Sequence, residues 1–239
     1  MALPILNATR YATTLPSTGE EIYYRPYVVK EEKIMMIALE SKDEKQIMDA
    51  MLDVIEACVL TEGINHQDLT TFDVEWLFLK LRARSVGENA ELKLKCTDED
   101  CDGISDVLYN LDDIKIDGEI GKTKMTIKIA DGVGVVMKYP PVKLIRKYDA
   151  KSMETIEGAF SLVAGCIDQV FDEENVYEAK EQTPEEVKDF LDSLSTPQFK
   201  SLADFIGNQP TVHDNIDWKC QSCQKENSME LRGLQSFFT

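Results

Sequence analysis

The chain has 239 residues, 43% of them hydrophobic and 29% charged, a composition typical of globular proteins with a buried core. Its longest apolar runs, such as residues 34–39 and 76–79, are far too short to span a bilayer, and the N-terminus lacks the pattern of a secretory signal. A net charge of −18 disfavours binding to nucleic-acid phosphates or to an anionic membrane surface. We therefore expect a protein made and kept in a cytoplasm, with neither nucleic acid nor membrane as a partner.

The first 30 residues are predicted to be an extended N-terminal arm, because Pro4, Pro16 and Pro26 interrupt them and residues 13–20 have the composition of turns. Such an arm either lies on a neighbouring subunit or folds back as an edge strand around residues 22–24. The sequence alone favours neither alternative.

Two helices are predicted after this arm. Apolar residues recur every three or four positions in residues 43–60, Asp43 can cap the start, and Gly63 follows the end. The apolar residues of the second helix, residues 71–85, spread around most of its circumference. That distribution indicates a helix buried on more than one side.

The rest of the chain changes period three times. Residues 90–139 have the two-residue period of strands, with a hairpin turn at Asp131-Gly132. Residues 151–207 are predicted to be helical: one apolar face runs from Ile156 to Val170, Thr183 opens a capping box, and Thr196-Pro197 starts a further helix. Residues 212–239 return to strands.

These patterns predict an α+β fold, in which a helical body carries a small antiparallel β element of the zinc-ribbon type built from two distant cysteine-pair knuckles. Five segments are expected along the chain: the arm (1–30), a helical segment (31–89), a β segment with the first knuckle (90–141), a second helical segment (142–210) and C-terminal strands with the second knuckle (211–239).

The cysteines carry the clearest chemical signal. In a reducing cytosol, paired cysteines favour metal binding or redox chemistry over structural disulfides. Cys96 and Cys101 lie between two predicted strands, and so do Cys220 and Cys223. Zinc prefers four soft ligands in a tetrahedron, and two facing knuckles supply them. We therefore predict one structural zinc ion per chain, which ties residue 100 to residue 220 across an inserted helical domain.

Two other interpretations of the cysteine pairs compete with a zinc site. The thiols could be free or form a disulfide only on oxidation. A thioredoxin-like redox role requires a Cys-x-x-Cys at a helix N-terminus, whereas the residues after Cys223 are predicted to be extended. The other two cysteines, Cys58 and Cys166, lie on apolar helical faces and are expected in the core.

No catalytic constellation was found in the sequence. The two histidines, His66 and His213, have no nucleophile or carboxylate at a diagnostic spacing, and the glycines at 132 and 134 lack the following helix of a phosphate-binding loop. His213 precedes Cys220 by seven residues and is an alternative candidate for a metal ligand. We expect no enzymatic activity, no catalytic residues and no cofactor other than zinc.

Three stretches resemble a known family. They are the N-terminal Leu-Pro-x-Leu with residues 24–39, which begin YRPYVVKEEK; residues 71–88, TFDVEWLFLKLRARSVGE; and the terminal Cys-x-x-Cys with residues 234–238, LQSFF. Together they resemble the baseplate hub subunits of T-even-like contractile-tailed bacteriophages, with residues 71–88 the most specific part. The gap of four residues between Cys96 and Cys101 is longer than the gap expected between the two cysteines of a knuckle in that family.

The resemblance implies a structural or assembly role in the tail hub, through binding to other phage baseplate hub proteins. It also implies a location in the virion baseplate or, during assembly, in the cytoplasm of the infected host. The alternative function is a zinc-ribbon module of a nucleic-acid-processing complex. The acidic charge opposes that alternative, as does the lack of a basic and aromatic stripe.

Overall fold

A computed structural model describes residues 8–148 and 155–233, and it divides the chain into two compact units. Unit 1 contains the described residues up to 66, residues 72–120 and those from 210 onward. Unit 2 contains residues 67–71 and the described part of 121–209. The apolar stretch 234–238 and the N-terminal Leu-Pro-x-Leu lie outside the described residues.

The described residues contain seven α-helices and four small antiparallel sheets, which confirms the α+β class. The helices are α1 (Val29–Ser41), α2 (Glu44–Cys58), α3 (Thr71–Ser85), α4 (Val142–Ile145), α5 (Ile156–Cys166), α6 (Pro184–Asp192) and α7 (Thr196–Gly207). The strands are β1 (Tyr11–Thr14), β2 (Glu21–Tyr24), β3 (Asn89–Lys95), β4 (Ile104–Asn110), β5 (Lys115–Ile116), β6 (Lys124–Ala130), β7 (Val133–Lys138), β8 (Ile167–Phe171), β9 (Val176–Glu178), β10 (Val212–Lys219) and β11 (Glu226–Arg232). None of these helices is long and apolar enough to cross a bilayer.

The N-terminal region folds back on unit 1. β1 and β2 form an antiparallel hairpin in which Ile22 and Tyr24 are buried. The connecting turn is fixed by a buried carboxylate, because the backbone N–H of Ser17 donates to Asp73 Oδ1 at 2.9 Å. The sequence left two alternatives open for the arm. Residues 11–24 adopt the second, since they fold back on unit 1 as strands.

The two predicted helices of unit 1 are present. Asp43 caps α2 by accepting hydrogen bonds from the backbone N–H groups of Lys45 and Gln46. α3 is buried on several sides, as its all-round apolar pattern predicted. Its buried apolar residues are Phe72, Val74, Leu77, Phe78, Leu79, Leu81 and Ala83.

Unit 2 is built on a four-stranded sheet of order β6-β7-β8-β9. Here one prediction was wrong: the apolar face assigned to a helix from Ile156 to Val170 belongs to α5 only as far as Cys166, and a strand begins at Ile167. Ile167 and Val170 pair with residues of β7 across the sheet. A short apolar run fits helix and strand alike, and tertiary pairing decides between them.

Helices α6 and α7 of unit 2 each begin directly after a capping residue. Thr183 and Glu186 form the predicted capping box of α6, with Pro184 at the first helical position. α7 is capped one residue earlier than the sequence suggested, since Ser195 and Gln198 form its box and Thr196 is already helical. Both caps satisfy backbone N–H groups that have no partner inside the helix.

The insertion of residues 121–209 begins and ends at one place in unit 1. β5 pairs with the start of β10, joining Ile116 to Val212. Just beyond this pair, the backbone N–H of Asp117 donates to the carbonyl of Thr211 at 3.1 Å, and the N–H of Thr211 donates to Asp117 Oδ1 at 2.6 Å. The two points where the chain leaves and rejoins unit 1 are thereby held side by side.

We predict that Thr183→Ala destabilises unit 2 by about 1 kcal/mol, since the substitution removes the acceptor for a backbone N–H at the start of α6. Chemical denaturation followed by circular dichroism measures the change. Thr183→Ser is the matched control, because it keeps the hydroxyl and should remain close to the wild type. Equal stability of the alanine and serine variants would contradict the assigned cap.

Candidate metal centre

Two hairpin tips carry the four candidate cysteines. Cys96 directly follows β3 and Cys101 precedes β4, while Cys220 directly follows β10 and Cys223 precedes β11. β3 pairs with β4 and β10 pairs with β11, both in antiparallel register. Each pair of thiols therefore lies on a turn whose ends are fixed by a strand ladder. The repeated strand–cysteine-pair–strand pattern of the sequence corresponds to these two turns, which we call the first and second knuckle.

The two knuckles face each other. The Sγ atoms of Cys96 and Cys223 are 3.6 Å apart, and those of Cys101 and Cys220 are 3.9 Å apart. All four sulfurs lie within 4.8 Å of one another. Four thiolates around one zinc ion at 2.3 Å would be about 3.8 Å apart, so the spacing suits a tetrahedral metal site. The pairs are too far apart for disulfides, whose sulfurs are separated by about 2.05 Å.

Backbone amides point at the sulfurs. The N–H of Asp98 donates to Cys96 Sγ and the N–H of Gly103 donates to Cys101 Sγ, each at 3.4 Å. In the second knuckle the amides of Cys223 and then Ser222 lower the pKa of the Cys220 thiol to about 6. At the other three thiols the backbone amides are outweighed by burial and the neighbouring sulfurs together, so the pKa values of these thiols are raised. The thiolate is the form that ligates metals, so Cys220 is the thiol most ready to bind a cation.

Burial differs among the four thiols. Cys96 and Cys220 are buried, Cys101 is half-buried and Cys223 is exposed. The solvent side of the cluster is crossed by an ion pair between the knuckles, with Lys225 Nζ 3.1 Å from Asp98 Oδ2. One edge of the candidate centre, at Cys223, is therefore exposed to solvent, while its inner half is enclosed by protein.

Asn227 joins the knuckles and was not identified from the sequence. This buried side chain of β11 accepts hydrogen bonds from the backbone N–H and the hydroxyl of Thr97, at 2.8 and 2.6 Å, and donates to the carbonyl of Lys225 at 2.8 Å. Asparagine is depleted in strands. An asparagine in the predicted strand after Cys223 was therefore the available signal.

Two further residues allow the knuckles to approach each other. The hydroxyl of the buried Ser105 accepts a hydrogen bond from the backbone N–H of Gln221 at 3.1 Å. A Cβ atom on Gly103 would lie 2.7 Å from Ser222 Oγ and 3.0 Å from Cys220 Sγ. The glycine after Cys101 is thus required by close contact between the knuckles.

The remaining candidates lie elsewhere. His213 is at the opposite end of β10, where it pairs with Arg232. Seven residues of extended strand place it roughly 23 Å from Cys220, too far for a shared ion. Cys58 and Cys166 are fully buried, as predicted, and burial raises the pKa of their thiols to about 11 and about 12. Among the described residues, the four knuckle cysteines are the one cluster that can hold a metal ion.

Comparison with known proteins identifies the family. The family model described as T4 bacteriophage base plate protein matches residues 8–239, nearly the whole chain. The chain belongs to this family. Membership confirms the resemblance to baseplate proteins of T4-like phages and supports a structural role in the baseplate of the virion tail. Neither the search of curated proteins nor that of solved structures gave a match.

We predict that Asn227→Ala lowers the free energy of unfolding of unit 1 by about 2 kcal/mol, because it removes the hydrogen bonds that the buried Asn227 side chain makes with Thr97 and with the carbonyl of Lys225. Denaturant titration measures the loss. Asn215→Ala is the matched control, an exposed asparagine of β10 expected to change stability by less than about 0.5 kcal/mol. A similar effect of the two substitutions would show that Asn227 does not join the knuckles.

Proposed function

We propose that this baseplate protein is a component of the central tail hub, that it acts by binding other hub proteins, and that one zinc ion on Cys96, Cys101, Cys220 and Cys223 holds its two knuckles together. The family match over residues 8–239 carries the baseplate role. The resemblance of residues 24–39 and 71–88 to hub subunits supports the hub in particular.

Zinc fits the four sulfurs better than other common metals. Calcium and magnesium require oxygen ligands, whereas a set of four thiolates selects zinc or iron–sulfur chemistry. Four thiolates complete the coordination of zinc and leave no position for a substrate or water. The ion would therefore stabilise the fold, and we propose that the protein has no enzymatic activity.

The charge of the chain suits protein partners. At −18 the molecule repels the phosphate backbone of nucleic acid. A basic surface on a neighbouring baseplate protein would instead be attracted to it, which raises the rate of association more than the final affinity. We propose other hub proteins as these neighbours.

The zinc proposal predicts about one zinc per chain in protein purified under reducing conditions. Cys220→Ser/Cys223→Ser should contain no zinc and should melt well below the wild type, because metal binding contributes directly to the folding free energy. Elemental analysis by inductively coupled plasma mass spectrometry and thermal denaturation are the two measurements.

Cys58→Ala controls for the loss of a thiol. It removes a buried cysteine that does not belong to the cluster, so its zinc content should equal that of the wild type. A wild-type chain without zinc, with six titratable thiols and the melting temperature of the double variant, would rule out the metal centre and leave the family assignment untouched.

The hub proposal predicts that the chain remains in purified phage particles at a fixed stoichiometry relative to other baseplate proteins. Quantitative mass spectrometry of gradient-purified virions measures this ratio, with the infected-cell lysate as the reference for total expression. Abundance in the lysate together with absence from purified particles would contradict a permanent hub component and indicate an assembly factor that leaves.

A further inference from the structure

Helix α1 exposes several large apolar side chains on its outer side, with nothing packed on them among the described residues. It contacts the rest of unit 1 through a narrow stripe of buried residues, Glu31, Met35 and Ala38. The opposite side carries Val29, Met36 and Ile37, whose exposed fractions are 78%, 59% and 59%. Ile34 and Leu39 flank this side and are also exposed. Large apolar side chains left exposed together on one side of a helix often mark a contact surface.

Two charged residues lie in the same outer stripe. Val29, Lys33, Met36 and Glu40 follow each other at steps of four, three and four, so they form one row along the helix. Lys33 and Glu40 are exposed, and neither has an ion-pair partner among the described residues. Glu40 is in the last turn of α1, where a negative charge is disfavoured by the helix dipole. The stability of α1 itself therefore does not explain why a glutamate occupies position 40.

The row is self-complementary. Lys33 and Glu40 are equidistant from a point between Met36 and Ile37. When a second α1 is laid antiparallel on the first about a twofold axis through that point, Met36 of each copy meets Ile37 of the other. Lys33 of each copy then meets Glu40 of the other. The antiparallel arrangement also sets the positive end of each helix dipole beside the negative end of its partner.

We infer that the outer face of α1 is a dimer contact between two copies of this chain, paired antiparallel across a twofold axis. Such a contact uses the same patch on both copies, as twofold interfaces do. A different protein partner would need an apolar surface, but it would not require this placement of Lys33 and Glu40 about the centre. The inference does not depend on the zinc centre or on the hub proposal.

The expected dimer is weak and reversible. A helix of 13 residues is about 20 Å long, and a single helix pair of that length buries less than the roughly 1,200 Å² of a stable complex. We therefore expect a monomer–dimer equilibrium at micromolar concentrations. Sedimentation equilibrium over a concentration series detects it directly.

Reversal of the two charges provides the sharpest test. Lys33→Glu alone and Glu40→Lys alone each place like charges together at both ends of the contact, and each should weaken dimerisation at least tenfold. The double variant Lys33→Glu/Glu40→Lys should restore it. An equimolar mixture of the two single variants should form heterodimers, because opposite charges then face each other at both ends.

Matched controls separate this contact from general charge effects. Lys200→Glu makes the same change in net charge on an exposed lysine of α7 and should leave the dimer intact. Met36→Asp/Ile37→Asp should yield a monomer with an unchanged circular dichroism spectrum. A wild-type chain that stays monomeric at several hundred micromolar, or charge variants that fail to rescue each other, would overturn the inference.

Discussion

The meeting of two hairpin tips far apart in the chain is the constraint on which the fold of unit 1 depends. The sulfur pairs that face each other are separated by 119 and 127 residues. The entropy cost of closing a loop grows slowly with its length, so a large insertion is tolerated provided that its ends are brought together. The β5–β10 pairing and the hydrogen bonds between Asp117 and Thr211 do this at the start and end of the insertion. Residues 121–209, together with residues 67–71, form the second compact unit.

Protein-only contacts already hold the hairpins together. Tyr109 on β4 donates its hydroxyl to Asp214 of β10 at 2.7 Å, and Asn227 and Ser105 bond to the opposite knuckles. Each of these bonds contributes on the order of 1 kcal/mol. A metal ion on the four thiolates would add a much stronger link at the tips and would remove the repulsion among negative sulfurs. The polar contacts determine which residues face each other, while the ion would provide most of the strength.

The features that could be predicted from the sequence are those that local interactions determine. The capped helices α2 and α6, the all-round burial of α3 and the two cysteine turns follow from residues close together in the chain. The strand at Ile167 and the packing of residues 11–24 depend on distant partners, β7 and Asp73, which a single sequence does not reveal. For the same reason the cysteines could be named in advance, whereas Asn227 and Gly103 could be recognised only once the knuckles were seen to touch.

We propose that one zinc ion is surrounded by four sulfurs, two from each knuckle. X-ray absorption at the zinc edge, on the full-length protein as purified, tests this most directly because it counts the ligand atoms and measures their distance. We expect a single shell of four sulfurs at about 2.3 Å. A shell that contains nitrogen or oxygen at about 2.0 Å would mean that at least one knuckle cysteine is not a ligand, and the shared centre would be contradicted.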